Sequence, residues 1–475
     1  MEHANNLVID LTHGGVKIAI SLSKKGKTVF AYDIYGTLKS IDRQMLDIYD
    51  VKLIDLNYLK NLEGNLKVIY PIHLPLTQEE IKSYNPNLNY TFITHHQSIK
   101  EILGNWGEDI NKIEITGVKG KTSAVFMLKE ILIDENPLIL SSLGAILYEN
   151  KKEFILKKDI SITPANIKET IDLAYKIANP ICEIANGKVK SENLKKYNCA
   201  IFESSLGASG IGDVGLLTNI VENYPIAKNN SNAATAKRQI FNCNIVACEK
   251  ESFDTYYFNI ENKNVNTFST ADANANVHLK TCECSLDKTT FTAIYKNVKT
   301  VNNREINGEI EIETFAPGMH LVSNVLGAIT VALSLEMPAE KIMDGLKNYK
   351  GIEGRSNKRV IEHSTIIEEI NPGINTKAIE ESINMIPDLE EYYIAIGGDY
   401  GITCEEIDES QVSSFLDNLN CDIILTGDVG KGILEKMENQ PEFIQDYHEV
   451  YDLVISQKKN LLFIYRSDYR KLSQR

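Results

Sequence analysis

Thr116-Gly117-Val118-Lys119-Gly120-Lys121-Thr122-Ser123 constrains the fold of this chain more than any other stretch. It follows the run Ile113-Glu114-Ile115 and precedes Ala124-Val125-Phe126-Met127-Leu128-Lys129-Glu130-Ile131-Leu132. The pattern predicts a short strand, a glycine loop and an amphipathic helix. Gly117 and Gly120 leave room for backbone N–H groups to face a phosphate. The loop opens onto a helix N-terminus, which favours an anion. Lys121 would reach the β- and γ-phosphates of a nucleotide, and the Thr122 hydroxyl would hold magnesium. The Gly-x-x-Gly-Lys-Thr spacing is two residues tighter than the general phosphate loop.

The chain has 475 residues, long enough for two to four domains with separate cores. A hydrophobic content of 43% and a charged content of 24% are those of a globular protein. The net charge of −15 argues against a general nucleic-acid partner. No run approaches the ~20 apolar residues of a membrane span. Met1-Glu2-His3-Ala4-Asn5-Asn6 lacks the basic start and apolar centre of a signal peptide, so the expected location is cytoplasmic. The eight cysteines, Cys182, Cys199, Cys243, Cys248, Cys282, Cys284, Cys404 and Cys421, are expected to be free thiols. Cys282-x-Cys284 has no second pair at zinc-site spacing, so it reads as an ordinary strand with the two thiols on alternate faces and no metal. Oligomeric state is open.

The chain opens with an expected βαβ unit: a strand at 7–11, the turn Thr12-His13-Gly14-Gly15, a helix from Val16 to Ser23, and a strand at 28–33. Gly14-Gly15 falls short of the full dinucleotide fingerprint, so the domain reads as a substrate platform. Further strands are expected at 67–70 and 90–94. His13, His73, His95 and His96 all follow strand-like runs, placing them at loop mouths where open α/β sheets bind ligands. Four histidines there hint at a polar or acidic ligand.

Beyond the phosphate loop, Leu138 to Ser142 reads as a strand. Ser161-Ile162-Thr163-Pro164 reads as a strand end before a helix at 166–178. Cys199-Ala200-Ile201-Phe202-Glu203 is a buried strand ending in a carboxylate, well placed beside a phosphate loop as a magnesium ligand. Alternating strands are expected from 245 to 315, followed by a helix through Leu335 that opens at Pro317-Gly318-Met319-His320-Leu321-Val322-Ser323-Asn324. Gly351-Ile352-Glu353-Gly354-Arg355 reads as a link into a last α/β sheet, with strand-to-glycine turns ending at Asp399 and Asp428.

These motifs, in this order, resemble the Mur ligase family, which includes the folylpolyglutamate synthases. The matching stretches are Thr116 to Ser123, Thr163-Pro164, Glu203-Ser204-Ser205, Thr218-Asn219-Ile220, Ala234-Thr235-Ala236-Lys237-Arg238-Gln239-Ile240-Phe241, Pro317 to Asn324, and Gly351 to Arg355. The resemblance implies an α/β protein of three domains: a Rossmann-like substrate domain at 1–108, a central ATP-binding domain at 109–350, and a Rossmann-like ligase domain at 351–475. It implies ATP and Mg2+ as cofactors, with Lys121, Glu203, Lys237 and Arg355 in catalysis. Asn324 would lie near the nucleotide, and His320 would either lie there or serve as a cap or packing residue. Thr122, Glu203 and Lys237 would hold metal, the lysine as a carbamate. Two departures stand out. The family's Asp-His-Leu-Asp is replaced by Asn223-Tyr224-Pro225-Ile226, and its Asp-Tyr-Ala-His-Asn-Pro by Glu368-Glu369-Ile370-Asn371-Pro372-Gly373.

Ile9 to Gly15, Asp33-Ile34-Tyr35 and Thr94-His95-His96 resemble a methanogen branch of the family. That branch activates a propionate of a nickel tetrapyrrole with ATP and closes a carbocyclic ring, which implies a polycarboxylated small-molecule substrate. Three alternatives stay open: a pseudomurein peptide ligase, a folylpolyglutamate-type ligase, and a non-catalytic protein that changes shape with nucleotide.

Overall fold

The computed structural model describes residues 5–178, 197–261, 264–401 and 407–472. Met1 to Ala4, Cys182 and Cys404 lie outside the described residues. Two compact units form. The first comprises Met1–Leu279, Ala293–Ile310 and Ser323–Gly345; the second comprises Lys280–Thr292, Glu311–Val322 and Leu346–Arg475.

Three large sheets follow one another along the chain, besides a two-stranded ribbon of Pro225–Ile226 and Ser231–Asn232. The first has five parallel strands in the order Lys52–Leu53, Val29–Tyr32, Asn5–Ile9, Asn65–Tyr70, Asn89–Thr94. The chain adds strands to one side of Asn5–Ile9 and then to the other, so the order reverses between Asn5–Ile9 and Asn65–Tyr70. That switch point opens a crevice at the strands' C-terminal ends. The helix Val16–Ser23 forms where its pattern places it, burying Val16, Ile18, Ala19 and Leu22.

The second sheet has eleven strands: Glu305–Thr314, Thr289–Lys299, Val277–Cys284, Val265–Ser269, Ile245–Glu249, Val214–Leu217, Asn111–Thr116, Cys199–Glu203, Leu138–Ser141, Gly144–Glu149 and Lys152–Lys157. Asn111–Thr116 runs parallel between Cys199–Glu203 and Val214–Leu217, with Glu203 opposite Ile115 and Leu217 opposite Thr116. Three loops therefore leave one sheet edge side by side. The strand expected to end in the stretch Ser161-Ile162-Thr163-Pro164 stops at Lys157; Ser161–Thr163 is irregular, and Pro164 opens the helix Pro164–Ala178. Proline suits a first helical position because its missing N–H is not needed there.

The third sheet runs Arg355–Ile361, Ser364–Ile370, Asn460–Arg466, Tyr392–Gly398, Asp422–Thr426, Glu442–Ile444. Its first pair is an antiparallel hairpin and the rest is parallel. In the second unit Cys282 and Cys284 are free, with Sγ atoms 3.4 Å apart. They share one strand face, because side chains two residues apart point the same way; the alternate-face reading was wrong. Cys199, Cys248 and Cys421 are also free thiols.

Candidate active site

Gly117 and Gly120 both adopt positive φ, 145° and 78°. A Cβ at Gly117 would overlap the Thr218 hydroxyl, and one at Gly120 would overlap the Asn324 carboxamide. Both glycines are thus required by conformation and by close neighbours. Thr218 and Asn219 buttress the loop. The Thr218 hydroxyl donates to the Lys119 carbonyl at 2.5 Å, and Asn219 accepts from Val118 N–H at 2.9 Å and Lys119 N–H at 3.0 Å. These two loop N–H groups serve the loop's shape. The helix Lys121–Ile131 begins at Gly120, where Ala124 N–H donates to the Gly120 carbonyl. The N–H groups of its first turn face out of the N-terminus, the arrangement that receives an anion. The Lys121 ammonium folds back onto the carbonyls of Gly117 and Val118, at 3.0 and 3.2 Å.

Thr122, Glu203 and Ser142 converge beneath the loop. The Thr122 hydroxyl lies 3.1 and 3.2 Å from the two Glu203 oxygens and 3.0 Å from the Ser142 hydroxyl. Ser142 N–H donates to Glu203 at 3.0 Å. Thr122 and Glu203 are buried. Thr116 Oγ1 and Ser204 Oγ, flanking this group in sequence, are buried with no hydrogen-bond partner. An all-oxygen donor set with orphaned hydroxyls nearby fits a hard cation bound with a phosphate. Ser142 was missed as a site residue. Its signal was its place at the end of a predicted strand, as with Glu203.

Lys237 closes the short helix Ala233–Lys237 and is fully buried. Its Nζ donates to the Ser205 carbonyl at 2.7 Å and lies 5.7 Å from the centroid of the Tyr224 ring. Asn223 accepts from Ala234 N–H at 2.9 Å. Asn223 and Tyr224, two of the residues that depart from the family pattern, therefore hold the Lys237 helix, the Tyr224 carbonyl accepting from Ala233 N–H at 2.9 Å. The structure brings Thr116 to Ser123, Glu203, Lys237 and Asn324 into one unit. Arg355 belongs to the second unit. Desolvation pushes the pKa of the half-buried Glu369 carboxyl up, and the charge of Arg355 opposes that shift by favouring the ionised form. Glu369 accepts from Ser356 and Asn371. His320 also lies in the second unit, with Nδ1 4.0 Å from Glu381.

A second residue that sequence reading missed is Glu114. It sits fully buried in the strand that leads to the loop. Its carboxylate accepts from the backbone N–H groups of Ser209, Gly210, Ile211 and Gly212, at 2.7 to 3.2 Å, and from the Ser209 hydroxyl at 2.6 Å. This clamp ties down the chain that follows Glu203-Ser204-Ser205.

The four histidines divide into two pairs. His95 and His96 do not sit at loop mouths: they open the helix His95–Leu103 and are buried. Burial lowers their pKa values to about 4 and about 3, with positive neighbours adding to the effect on His96. The His95 ring bonds the Ile9 carbonyl at 2.9 Å. His13 and His73 are accessible and meet at Asp10. Among the described residues no helix is long and apolar enough to cross a membrane.

Comparison with known proteins bears on the fold and on the kind of enzyme. Residues 358–468 match the family "Coenzyme F430 synthetase CfbE, C-terminal domain". The chain is 28% identical over 454 residues to the coenzyme F(430) synthetase of Methanocaldococcus jannaschii, covering 93% of this chain and 95% of that one. It is 25% identical over 467 residues to the enzyme of that name from Methanosarcina acetivorans, covering 89% of each. Among solved structures, MurF from Acinetobacter baumannii superposes with a TM-score of 0.56 at 15% identity, covering 86% of this chain and 84% of that one. MurF from Thermotoga maritima, solved with ADP, gives 0.54 at 12%, covering 87% and 95%. The three successive α/β sheets are therefore those of the Mur fold. The chain is an ATP-dependent ligase with a Mur-ligase-like fold, similar over most of its length to the coenzyme F(430) synthetases.

Proposed function

We propose that this ligase uses ATP to activate a propionate of the nickel tetrapyrrole seco-F(430) and closes its six-membered carbocyclic ring. The observation that carries the reading is the similarity to two coenzyme F(430) synthetases along 93% and 89% of the chain. It is joined to a last domain that matches the corresponding family. ATP supplies the phosphoryl group that turns the carboxylate oxygen into a leaving group, releasing ADP. A ring carbon then loses its proton, forms the carbon–carbon bond and expels phosphate.

The chain's own residues do the following. The Lys121 ammonium and the N-terminus of its helix bind and neutralise the phosphates. Thr122 and Glu203, with Ser142 beside them, would hold Mg2+, whose charge stabilises the transferring phosphoryl group. Asn324 packs against Gly120 and fixes the loop. Lys237 would act as a carbamate. Its neutral amine adds to carbon dioxide with loss of one proton, and the new anionic oxygens suit a hard metal. Arg355 is assigned to phosphate charge on the family resemblance. Residues 1–108 would seat the substrate.

The test measures phosphate release from ATP and magnesium with the seco-tetrapyrrole acid in one tube and an amino acid plus nucleotide-linked peptide in another. Release with the tetrapyrrole, and a product lighter by one water, is expected. Release only with the peptide pair would reassign the enzyme to peptide ligation.

A further inference from the structure

Asp10 follows the strand Asn5–Ile9, and His73 follows the strand Asn65–Tyr70. They therefore flank the switch point of the first sheet, where the strand order reverses and ligands of open α/β sheets bind. The local chain is built to aim Asp10. Its backbone takes φ 72° and ψ 95°, a conformation a non-glycine residue rarely holds. One carboxylate oxygen, Oδ1, is used up by the N–H groups of Thr12 at 3.0 Å and His13 at 3.3 Å. The other, Oδ2, faces two imidazoles.

His13 Nδ1 lies 2.8 Å from Oδ2, His73 Nε2 lies 3.2 Å from it, and the two nitrogens are 3.2 Å apart. Three donor atoms thus form a nearly equilateral triangle. Hydrogen bonds cannot satisfy all three edges. If both nitrogens carry protons, two donors face each other. If one does, the lone pair of the other faces the carboxylate. A cation above the triangle satisfies all three atoms together. Donors about 2.1 Å from a metal lie about 3.0 Å apart at a right angle and about 3.4 Å apart at the tetrahedral angle, which brackets the two 3.2 Å edges and lies slightly above the 2.8 Å edge. Side-chain exposure is 0% for Asp10, 47% for His13 and 26% for His73, so the triangle is rooted in the core and open on one side. Among the described residues this is the cluster of three such ligands that closes within metal-binding distance.

We propose that Asp10 Oδ2, His13 Nδ1 and His73 Nε2 bind a divalent transition-metal ion of the zinc, cobalt or nickel class, with further coordination positions open to an oxygen ligand. Two imidazoles select such ions over magnesium and calcium. The site is separate from Thr122 and Glu203, and it does not depend on the substrate reading above.

The experiment strips the full chain with a chelator and titrates it with cobalt(II) chloride without nucleotide. Visible absorption and equilibrium dialysis follow binding. One saturable equivalent with nitrogen- and oxygen-type bands is expected, lacking a thiolate charge-transfer band. His13→Gln and His73→Gln should each weaken it by at least about a hundredfold. Asp10→Asn risks the turn it caps, so the histidine variants carry the test, with circular dichroism checking the fold. Unchanged binding in both histidine variants overturns the proposal. So does loss of the signal in Glu203→Gln or Cys282→Ser, or no saturable binding at all.

Discussion

Gly120 and Asn324 pack so closely that a side chain at position 120 would occupy the space of the Asn324 carboxamide. They lie 204 residues apart in the chain, and their contact joins the phosphate loop to the helix Met319–Ser334. Gly120→Ala would suffer twice, from a left-handed backbone costing about 1–2 kcal/mol and from the displaced amide. Thermal unfolding and ATP turnover should both fall. Adding Asn324→Ala should recover part of the stability and none of the backbone cost, so a double-mutant cycle separates the two. Strict additivity of the two changes would deny the contact.

Glu203 and Thr122 share a buried oxygen cluster with Ser142. Glu203→Gln keeps the volume and loses the charge that would draw Mg2+. Turnover is expected to fall by at least about a hundredfold, by analogy with lost metal-site groups. Higher magnesium should recover part of it. A variant with the wild-type magnesium dependence would remove Glu203 from the metal site. Lys121→Ala should abolish turnover with the fold intact, read by phosphate release and circular dichroism.

Glu114 gathers four backbone N–H groups and a hydroxyl onto one buried carboxylate. Glu114→Gln would turn one acceptor into a donor that faces donors. The expected loss is about 3 kcal/mol or more, because buried N–H groups are left unpaired. Urea unfolding checks it, and a midpoint unchanged from wild type would count against the clamp.

How far the sequence revealed this arrangement depended on how local each feature was. The phosphate loop was legible because strand, glycines, lysine and helix are contiguous. Glu203 was legible because a carboxylate ends a buried strand. Glu114 was hidden inside an apolar run, since its partners at Ser209–Gly212 lie a sheet crossover away. Asp10, His13 and His73 were hidden because sequence order does not display strand order; only the adjacency of Asn5–Ile9 and Asn65–Tyr70 brings them together. His95 and His96 misled because Thr94 ends a strand and caps a helix in one step. The loop expected between those two elements has no residues.

His96 adds a pH dependence. Its pKa is lowered to about 3, mainly by burial, and the Nδ1 atom has no hydrogen-bond partner. Below about pH 6.5 the unfolded chain binds a proton that the native state refuses until about pH 3. Stability is therefore full above pH 6.5 and falls on acidification by about 1.4 kcal/mol per pH unit. His95, at about 4, acts in the same sense over a narrower window. Urea midpoints from pH 7.5 to 5 should decline, and His96→Leu should decline less. Parallel lines for the two proteins would remove His96 from the effect.

Lys237 offers the sharpest test of the active-site chemistry. It is fully buried, with its amine on the Ser205 carbonyl and near the Tyr224 face. A lysine acting only as a cation and a lysine acting as a carbamate both lose function on truncation, so the loss alone decides nothing. The difference lies in rescue. If Lys237 supplies an anionic oxygen, Lys237→Ala opens a cavity that formate or acetate can enter. Turnover, down by about a hundredfold or more, should then rise with the concentration of the short acid. Wild-type turnover should also fall in carbon dioxide-free buffer and return with bicarbonate. Rescue by methylamine and not by formate would make Lys237 a cation. Full activity in Lys237→Ala would take it out of the reaction.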